Sequence, residues 1–242
     1  MSENQLAGNS ISRRTLLSAV LILFIIPATI LFGVFFLNDR KYYFISLLIV
    51  IYTMIPFFMV FENRKPQARE LIVIAVLSAL AVAGRAAFFM VPQFKPVVAI
   101  VIIAGLCFGA ESGFLVGAVT GFVSNFFFGQ GPWTPWQMFC FGIIGFLAGI
   151  FYKKRIVKKT KLSLCVFGGL TTFIVYGGII NIGSLLMFTS VFSWKALLAT
   201  YISGFWFDMV HAVATVFFLY FISQPMIEKL DRIKIKYGIY NL

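Results

Sequence analysis

The chain has 242 residues, 61% of them hydrophobic and only 12% charged. A soluble globular domain is about one-quarter charged, so a soluble enzyme or soluble binding domain is excluded and the chain reads as an integral membrane protein. The net charge of +12 is a topology and lipid-headgroup signal, and no nucleic-acid partner is expected because no soluble basic domain could present one.

Eight apolar stretches follow in chain order, at about 15–37, 42–61, 70–90, 96–110, 112–128, 135–152, 162–188 and 195–222. About 20 apolar residues cross a bilayer as a helix, and the alternation of a membrane β-barrel is missing. The expected fold class is therefore an all-α integral membrane protein of about eight transmembrane helices. The fourth, fifth and sixth stretches are short and are expected to be tilted or sheltered by neighbours.

The first stretch follows Ser12-Arg13-Arg14-Thr15-Leu16-Leu17, which resembles a twin-arginine export signal. Its apolar run is long for a cleaved signal and no small-x-small site closes it, so it reads as a retained anchor. A polar, proline-bearing break, Glu62-Asn63-Arg64-Lys65-Pro66-Gln67, separates the first two spans from the rest. Residues 1–65 are thus expected to form an appended two-helix hairpin, and 66–242 the working six-helix module with a basic cytoplasmic tail.

Along that module the third span carries Ala75, Ala79 and Ala83, the fifth Gly113, Gly117 and Gly121, and the sixth Gly142, Gly145 and Gly149. Small residues on one helix face let another helix approach closely. The glycine rows read as contacts within the bundle. For the alanine row two readings stand open, packing inside the chain or docking on a separate membrane subunit. Fifteen of the twenty Lys and Arg fall on one set of connecting segments. Only Arg40, Lys41, Lys95 and Lys195 fall on the other set, and Arg85 lies within a span. This bias predicts both termini in the cytoplasm of a multi-pass cell-membrane protein.

Between the fifth and sixth spans lies Gly129-Gln130-Gly131-Pro132-Trp133-Thr134-Pro135-Trp136-Gln137. Its prolines fix φ and its glycines permit unusual turns. Two Trp faces and two Gln tips suit a rigid lid over a small molecule, combining apolar walls with a few placed polar groups; an aromatic belt is the competing reading. Asn125, four residues before Gly129, faces either a ligand or another helix. Glu111 reads as a solvated or helix-capping residue.

Ionisable groups inside a membrane are costly, which singles out Arg85, Asp208 and His211. Asp208 lies about 20 Å below the start of the last span, and His211, three residues on, shares its face. They form either a buried Arg85–Asp208 or Asp208–His211 pair, or the polar floor of a ligand pocket. Cys107, Cys140 and Cys165 sit in apolar segments as small hydrophobes, and one histidine cannot hold a metal. Ser203 and His211 share one helix about 12 Å apart, too far for a nucleophile and its base. No zincin or P-loop pattern is present, so no enzyme, no metal site and no covalently bound cofactor are expected.

The stretch from Ala68-Arg69-Glu70-Leu71 through Arg85, then Phe94-Lys95-Pro96, then Gly113–Gly131 with Pro132-Trp133-Thr134-Pro135-Trp136-Gln137, resembles the substrate-binding S components of energy-coupling factor (ECF) vitamin transporters. The similarity covers about residues 68–222 and is most specific over Ser124–Gln137. Among these it looks most like the cobalamin-type group. The resemblance implies a six-helix module that captures a vitamin from outside. Its implied partners are a transmembrane T subunit, met through Ala75, Ala79 and Ala83, and two cytoplasmic ATPases whose hydrolysis topples the module to release its cargo. Asn125, Gln130, Trp133, Trp136 and Gln137 are then the expected substrate contacts, with Arg85 and Asp208 as second choices. The expected ligand is cobalamin or a related corrinoid. A flavin, a pterin or queuosine also suits these residues. A non-transporting scaffold assembled through its Gly and Ala faces, and an intramembrane enzyme using Asp208 and His211, are the competing functional classes.

Overall fold

The computed structural model describes residues 13–37, 42–59, 68–189 and 193–238. The break at 62–67 and part of the segment before Trp194 lie outside them. Among the described residues the chain has no strands and forms eight helices. Helix α1 runs through Arg13–Val20, a π-helical stretch Leu21–Ile25 and Ile26–Leu37. Helices α2 to α6 are Tyr42–Met59, Ala68–Ala87, Val97–Phe108, Ala110–Phe128 and Trp133–Lys153. Helix α7 comprises Lys161–Leu170, a second π-helical stretch Thr171–Tyr176 and Gly177–Phe188, and α8 is Trp194–Tyr237.

Five of the eight are long and apolar enough to cross a membrane: Thr15–Leu37, Ala110–Phe128, Trp133–Lys153, Lys161–Phe188 and Trp194–Tyr237. This is a multi-pass membrane bundle. The expectation of short fifth and sixth spans is corrected, since α5 has 19 residues and α6 has 21. The fourth is short as expected. Its 12 residues rise about 18 Å against a hydrocarbon core of about 30 Å. All twelve are buried, so α4 is a peg enclosed by the other helices, and its length need not match the bilayer.

The glycine rows of α5 and α6 meet each other. A Cβ on Gly117 would stand 2.5 Å from the Phe141 carbonyl, and Gly113 and Gly145 oppose each other backbone to backbone. Gly105 of α4 packs on the same Gly145, and Gly149 on Ala110. Three helices therefore touch at backbone distance, where only a hydrogen fits between them. The link from α4 to α5 is the single residue Gly109, whose φ of 92° favours glycine. Aligning Val101 and Gly105 with Gly145 places the start of α4 roughly 9 Å below the start of α6. Segment 88–96 therefore dips into that end of the bundle.

Helices α7 and α8 form a long antiparallel pair. The Thr172 hydroxyl meets that of Thr215 at 3.1 Å, and the Tyr201 hydroxyl donates to the Gly178 carbonyl at 2.8 Å. Helix α8 has 44 residues, about 66 Å, and continues well past the expected end near residue 222 despite Pro225. Its extension is amphipathic: Ile227 and Leu230 are buried while Lys229 and Arg232 face outward. Polar bonds pin it to the basic end of the bundle. Lys159 pairs with Asp231 at 2.7 Å, Gln224 donates to the Lys159 carbonyl at 2.7 Å, and Lys234 donates to the Cys107 carbonyl at 2.6 Å.

Helices α1 and α2 pack on α5 and α6, where Ile22, Ile26, Ile30, Ile45 and Ile49 share a core with Phe114, Phe139, Ile143 and Phe146. Pro27, which has no N–H to give, follows the wide turn in α1, where the Ile26 N–H reaches back to the Leu21 carbonyl.

The seam predicts an asymmetry between two glycines. Gly117→Ala is expected to destabilise the bundle by about 1–3 kcal/mol through overpacking. Gly178→Ala, with open space around its Cα, is expected to cost less than about 0.5 kcal/mol. Thermal unfolding in detergent reads both, and equal midpoints would contradict the close seam.

Candidate functional site

The segment Gly129–Gln137 is only partly a loop. Helix α6 starts at Trp133, two residues earlier than expected, with Pro132 as its N-cap residue and Pro135 within its first turn. Prolines are tolerated there because first-turn N–H groups have no intrahelical partner. Trp133 to Gln137 thus form a helix start, and Gly129, at φ 94°, ends α5.

Asn125 is the hub of this end of the bundle and is fully buried. Its Oδ1 accepts from Arg85 Nη1 at 2.7 Å, and its Nδ2 donates to Thr134 Oγ1 at 3.0 Å and Gln137 Oε1 at 2.8 Å. Arg85 Nη1 also donates to the Ser124 hydroxyl. Thr134 in turn donates to Gln130 Oε1 at 2.9 Å, while Gln130 Nε2 donates to the Phe122 carbonyl at 2.9 Å. One amide therefore ties α3, α5, the 129–132 turn and α6 together. Its donors and acceptor face protein partners, as buried polar groups require.

Beside this hub lies a cavity of about 210 Å³, bounded by α3, segment 88–96 and the facing turns of α4 to α8. Its polar lining is Arg85, Gln93, Lys95, Gln137, Tyr176 and His211, and Phe89, Phe128 and Phe141 supply flat walls. The Arg85 guanidinium lies over the Phe128 ring, 4.4 Å from its centroid. The Lys95 ammonium stands 5.9 Å from the same ring. Lys95 ties up the end of α3 through the carbonyls of Phe88 and, at 2.6 Å, Val91. Burial and then the neighbouring Arg85 charge hold its pKa below the ordinary lysine value. The second π-helical stretch ends at Tyr176, which meets the His211 ring edge-on at 4.6 Å. His211 is buried and its Nδ1 has no hydrogen-bond partner among the described residues.

The sequence-derived candidates are thus distributed. Arg85 and Gln137 line the cavity, and Asn125 and Gln130 hold its frame from behind. Trp133 is half-buried, folds over Gly131, and its indole N–H reaches the Gly129 carbonyl at 3.3 Å. Trp136 is buried against Gly183 of α7. Asp208 lies in a separate groove between α7 and α8, where it accepts from Asn181 Nδ2 at 2.7 Å. Neither buried pair read from the sequence forms: Arg85 bonds Ser124 and Asn125, and Asp208 bonds Asn181. His211 and Asp208 serve different cavities, because the 60° that separates positions three apart on a helix is enough to turn them to different neighbours. The Ser203 hydroxyl donates to the Thr200 carbonyl of its own helix. Tyr176 and the three phenylalanines were not singled out by the sequence, and of segment 88–96 the sequence pointed to Phe94-Lys95-Pro96; the positive φ of Gln93 (56°) and the inward dip of its segment appear only in three dimensions. Ala75, Ala79 and Ala83 are exposed on α3.

Trp136→Ala is expected to cost about 3–5 kcal/mol of stability, as a large buried side chain does. Trp133→Ala is expected to cost far less. Thermal unfolding of the ligand-free protein separates the two.

Residues 69–224 match the family described as ECF transporter, substrate-specific component. The chain is 31% identical over 124 residues to a UPF0397 protein of Vibrio atlanticus (strain LGP32), an overlap of 48% of this chain and 68% of that protein. It is 31% identical over 105 residues to a UPF0397 protein of Aliivibrio fischeri (strain MJ11), covering 41% of this chain and 55% of that one. No solved structure matches. The matched span contains the whole cavity and the alanine face of α3, and it begins after α1 and α2: this chain belongs to the family of substrate-specific components of ECF transporters.

Proposed function

We propose that this chain is the substrate-capture subunit of an ATP-driven ECF importer in the cell membrane, with both termini cytoplasmic. It takes a vitamin or nucleobase-like compound from outside into the cavity beside Arg85, Gln137 and His211. The observation that carries this reading is a half-enclosed, polar-lined cavity beside segment 88–96, at the end of the bundle poor in Lys and Arg. A scaffold has no use for such a cavity, and an intramembrane enzyme would need Asp208 and His211 together. Residues 1–65 are an appended hairpin and 66–242 the working module.

The exposed Ala75, Ala79 and Ala83 support docking on a transmembrane T subunit, which couples the chain to two cytoplasmic ATPases. Small side chains there let a partner helix approach closely, and nothing among the described residues of this chain occupies that face.

Size bears on the cargo. Pockets for drug-sized ligands span about 300–1,000 Å³, and the cavity has about 210 Å³. A corrinoid exceeds it. A flat compound of one or two rings, such as a pterin, fits, with Phe89, Phe128 and Phe141 as stacking faces. Cobalamin, the cargo suggested by sequence resemblance, is therefore the second choice, requiring withdrawal of segment 88–96.

Protein purified from cells grown in rich medium is expected to retain a compound of this size in about equimolar amount, detected by mass spectrometry of the denatured extract. Stoichiometric co-elution of added cobalamin, read by its absorbance, would overturn the size argument. Ala79→Leu is expected to leave that retention intact and to abolish uptake into cells that also express the T subunit and ATPases. Undiminished uptake would remove the α3 face as the docking surface.

A further inference from the structure

We infer that the compound captured in this cavity carries an anionic group, held between Arg85 and Lys95, and turns a hydrogen-bonding ring atom toward His211. This rests on the capture reading and narrows it to acid-bearing ring compounds.

Three observations lead there. The charged side chains lining the cavity are both cations, with no carboxylate among the lining residues. Arg85 lies within the bundle, yet its bonds to described residues are to two neutral acceptors, Ser124 and Asn125, both through Nη1. The N–H groups on Nη2 and Nε carry none to the described residues. A guanidinium has five donors in a planar fork suited to a carboxylate, and a buried charge is ordinarily paired. Asp208, the carboxylate that the sequence offered as its partner, is engaged with Asn181 in another groove.

Arg85 and Lys95 also share one aromatic ring, Phe128, at 4.4 and 5.9 Å. Two like charges that close repel in a medium of low dielectric. An anion between them turns that repulsion into two attractions, and a cationic ligand would add a third like charge. The selection therefore runs against amine-bearing compounds such as queuosine.

His211 supplies the second point of recognition. It lies on the cavity wall, 3% exposed, with Nδ1 unpartnered. Buried polar atoms are seldom left so. Its ring is fixed edge-on to Tyr176 at 4.6 Å and to Phe141 at 6.5 Å. A planar ligand with its acid toward Arg85 and Lys95 would bring a ring nitrogen or carbonyl to the part of the His211 ring that lines the cavity.

The test uses the purified full chain in lipid nanodiscs and matched acid and neutral compounds on one ring: nicotinate with nicotinamide, orotate with uracil, and pterin-6-carboxylate with pterin. Calorimetric titration is expected to show at least one acid binding about 30-fold or more tighter than its neutral partner, the worth of one charge-assisted hydrogen bond. Arg85→Gln and Lys95→Gln are each expected to lower the acid's affinity far more than the neutral compound's, and so to remove most of that preference. Lys95 lies outside the helices, so Lys95→Gln reports even where Arg85→Gln unfolds the hub. Neutral compounds binding as tightly as their acids in every pair that binds overturn the anion inference and leave capture standing. Failure of all three acids to bind also overturns it; capture survives that result where the protein retains an uncharged compound from the growth medium.

Discussion

Everything at the mouth of this bundle follows from how closely α4, α5 and α6 approach one another. Glycines 105, 113, 117 and 145 let three backbones touch, and that contact fixes the axial position of α4. Because α4 is short and locked low on α6, the chain entering it from α3 has to descend into the bundle. The cavity is the space left beneath that descent. A larger residue in the seam would change the relative heights of the helices and, with them, the volume of the site.

The second constraint is the Asn125 amide. With a fully buried side chain, leaving any of its polar atoms unpaired would cost about 1–3 kcal/mol. All of them are paired, and the pairing orients Arg85 and Gln137 along the cavity wall. The hub spends its hydrogen bonds on architecture, and it positions two of the groups left over for a ligand, the remaining guanidinium N–H groups of Arg85 and the far side of Gln137, with His211 across the cavity. A residue of high polarity and complete burial thus frames the cavity with every one of its polar atoms already paired.

Much of the fold was legible in the sequence because hydropathy and helix length are set by the bilayer. The eight helices, the tight glycine rows and the shared face of the alanine row came from local pattern; that this alanine face lies outward did not. What local pattern misjudged was direction and depth. Pro132 and Pro135 read as a rigid loop, although the same two residues suit the first turn of a helix. Trp136 read as a lid because tryptophan suits a lid, while its burial against Gly183 depends on the path of α7. Asp208 and His211, three residues apart, read as one site and belong to two. Lys95 and Tyr176 reach the cavity through the dip of 88–96 and the π-helical widening of α7, and neither of those turns of the backbone leaves a mark in composition.

The two ends of the bundle are built to different standards of rigidity. At the basic end, the Lys159–Asp231 pair and the bonds from Gln224 and Lys234 fasten the extension of α8 to its neighbours. At the other end the cavity is covered by segment 88–96, tied through the Lys95 ammonium to carbonyls at the end of α3. An anion that draws Lys95 toward Arg85 competes with those carbonyls for the same three ammonium protons. Binding and the set of the covering segment are then coupled through one side chain. Helices α1 and α2 lie on α5 and α6, so that coupling, and the exposed alanine face of α3 one helix away, are left clear of the hairpin.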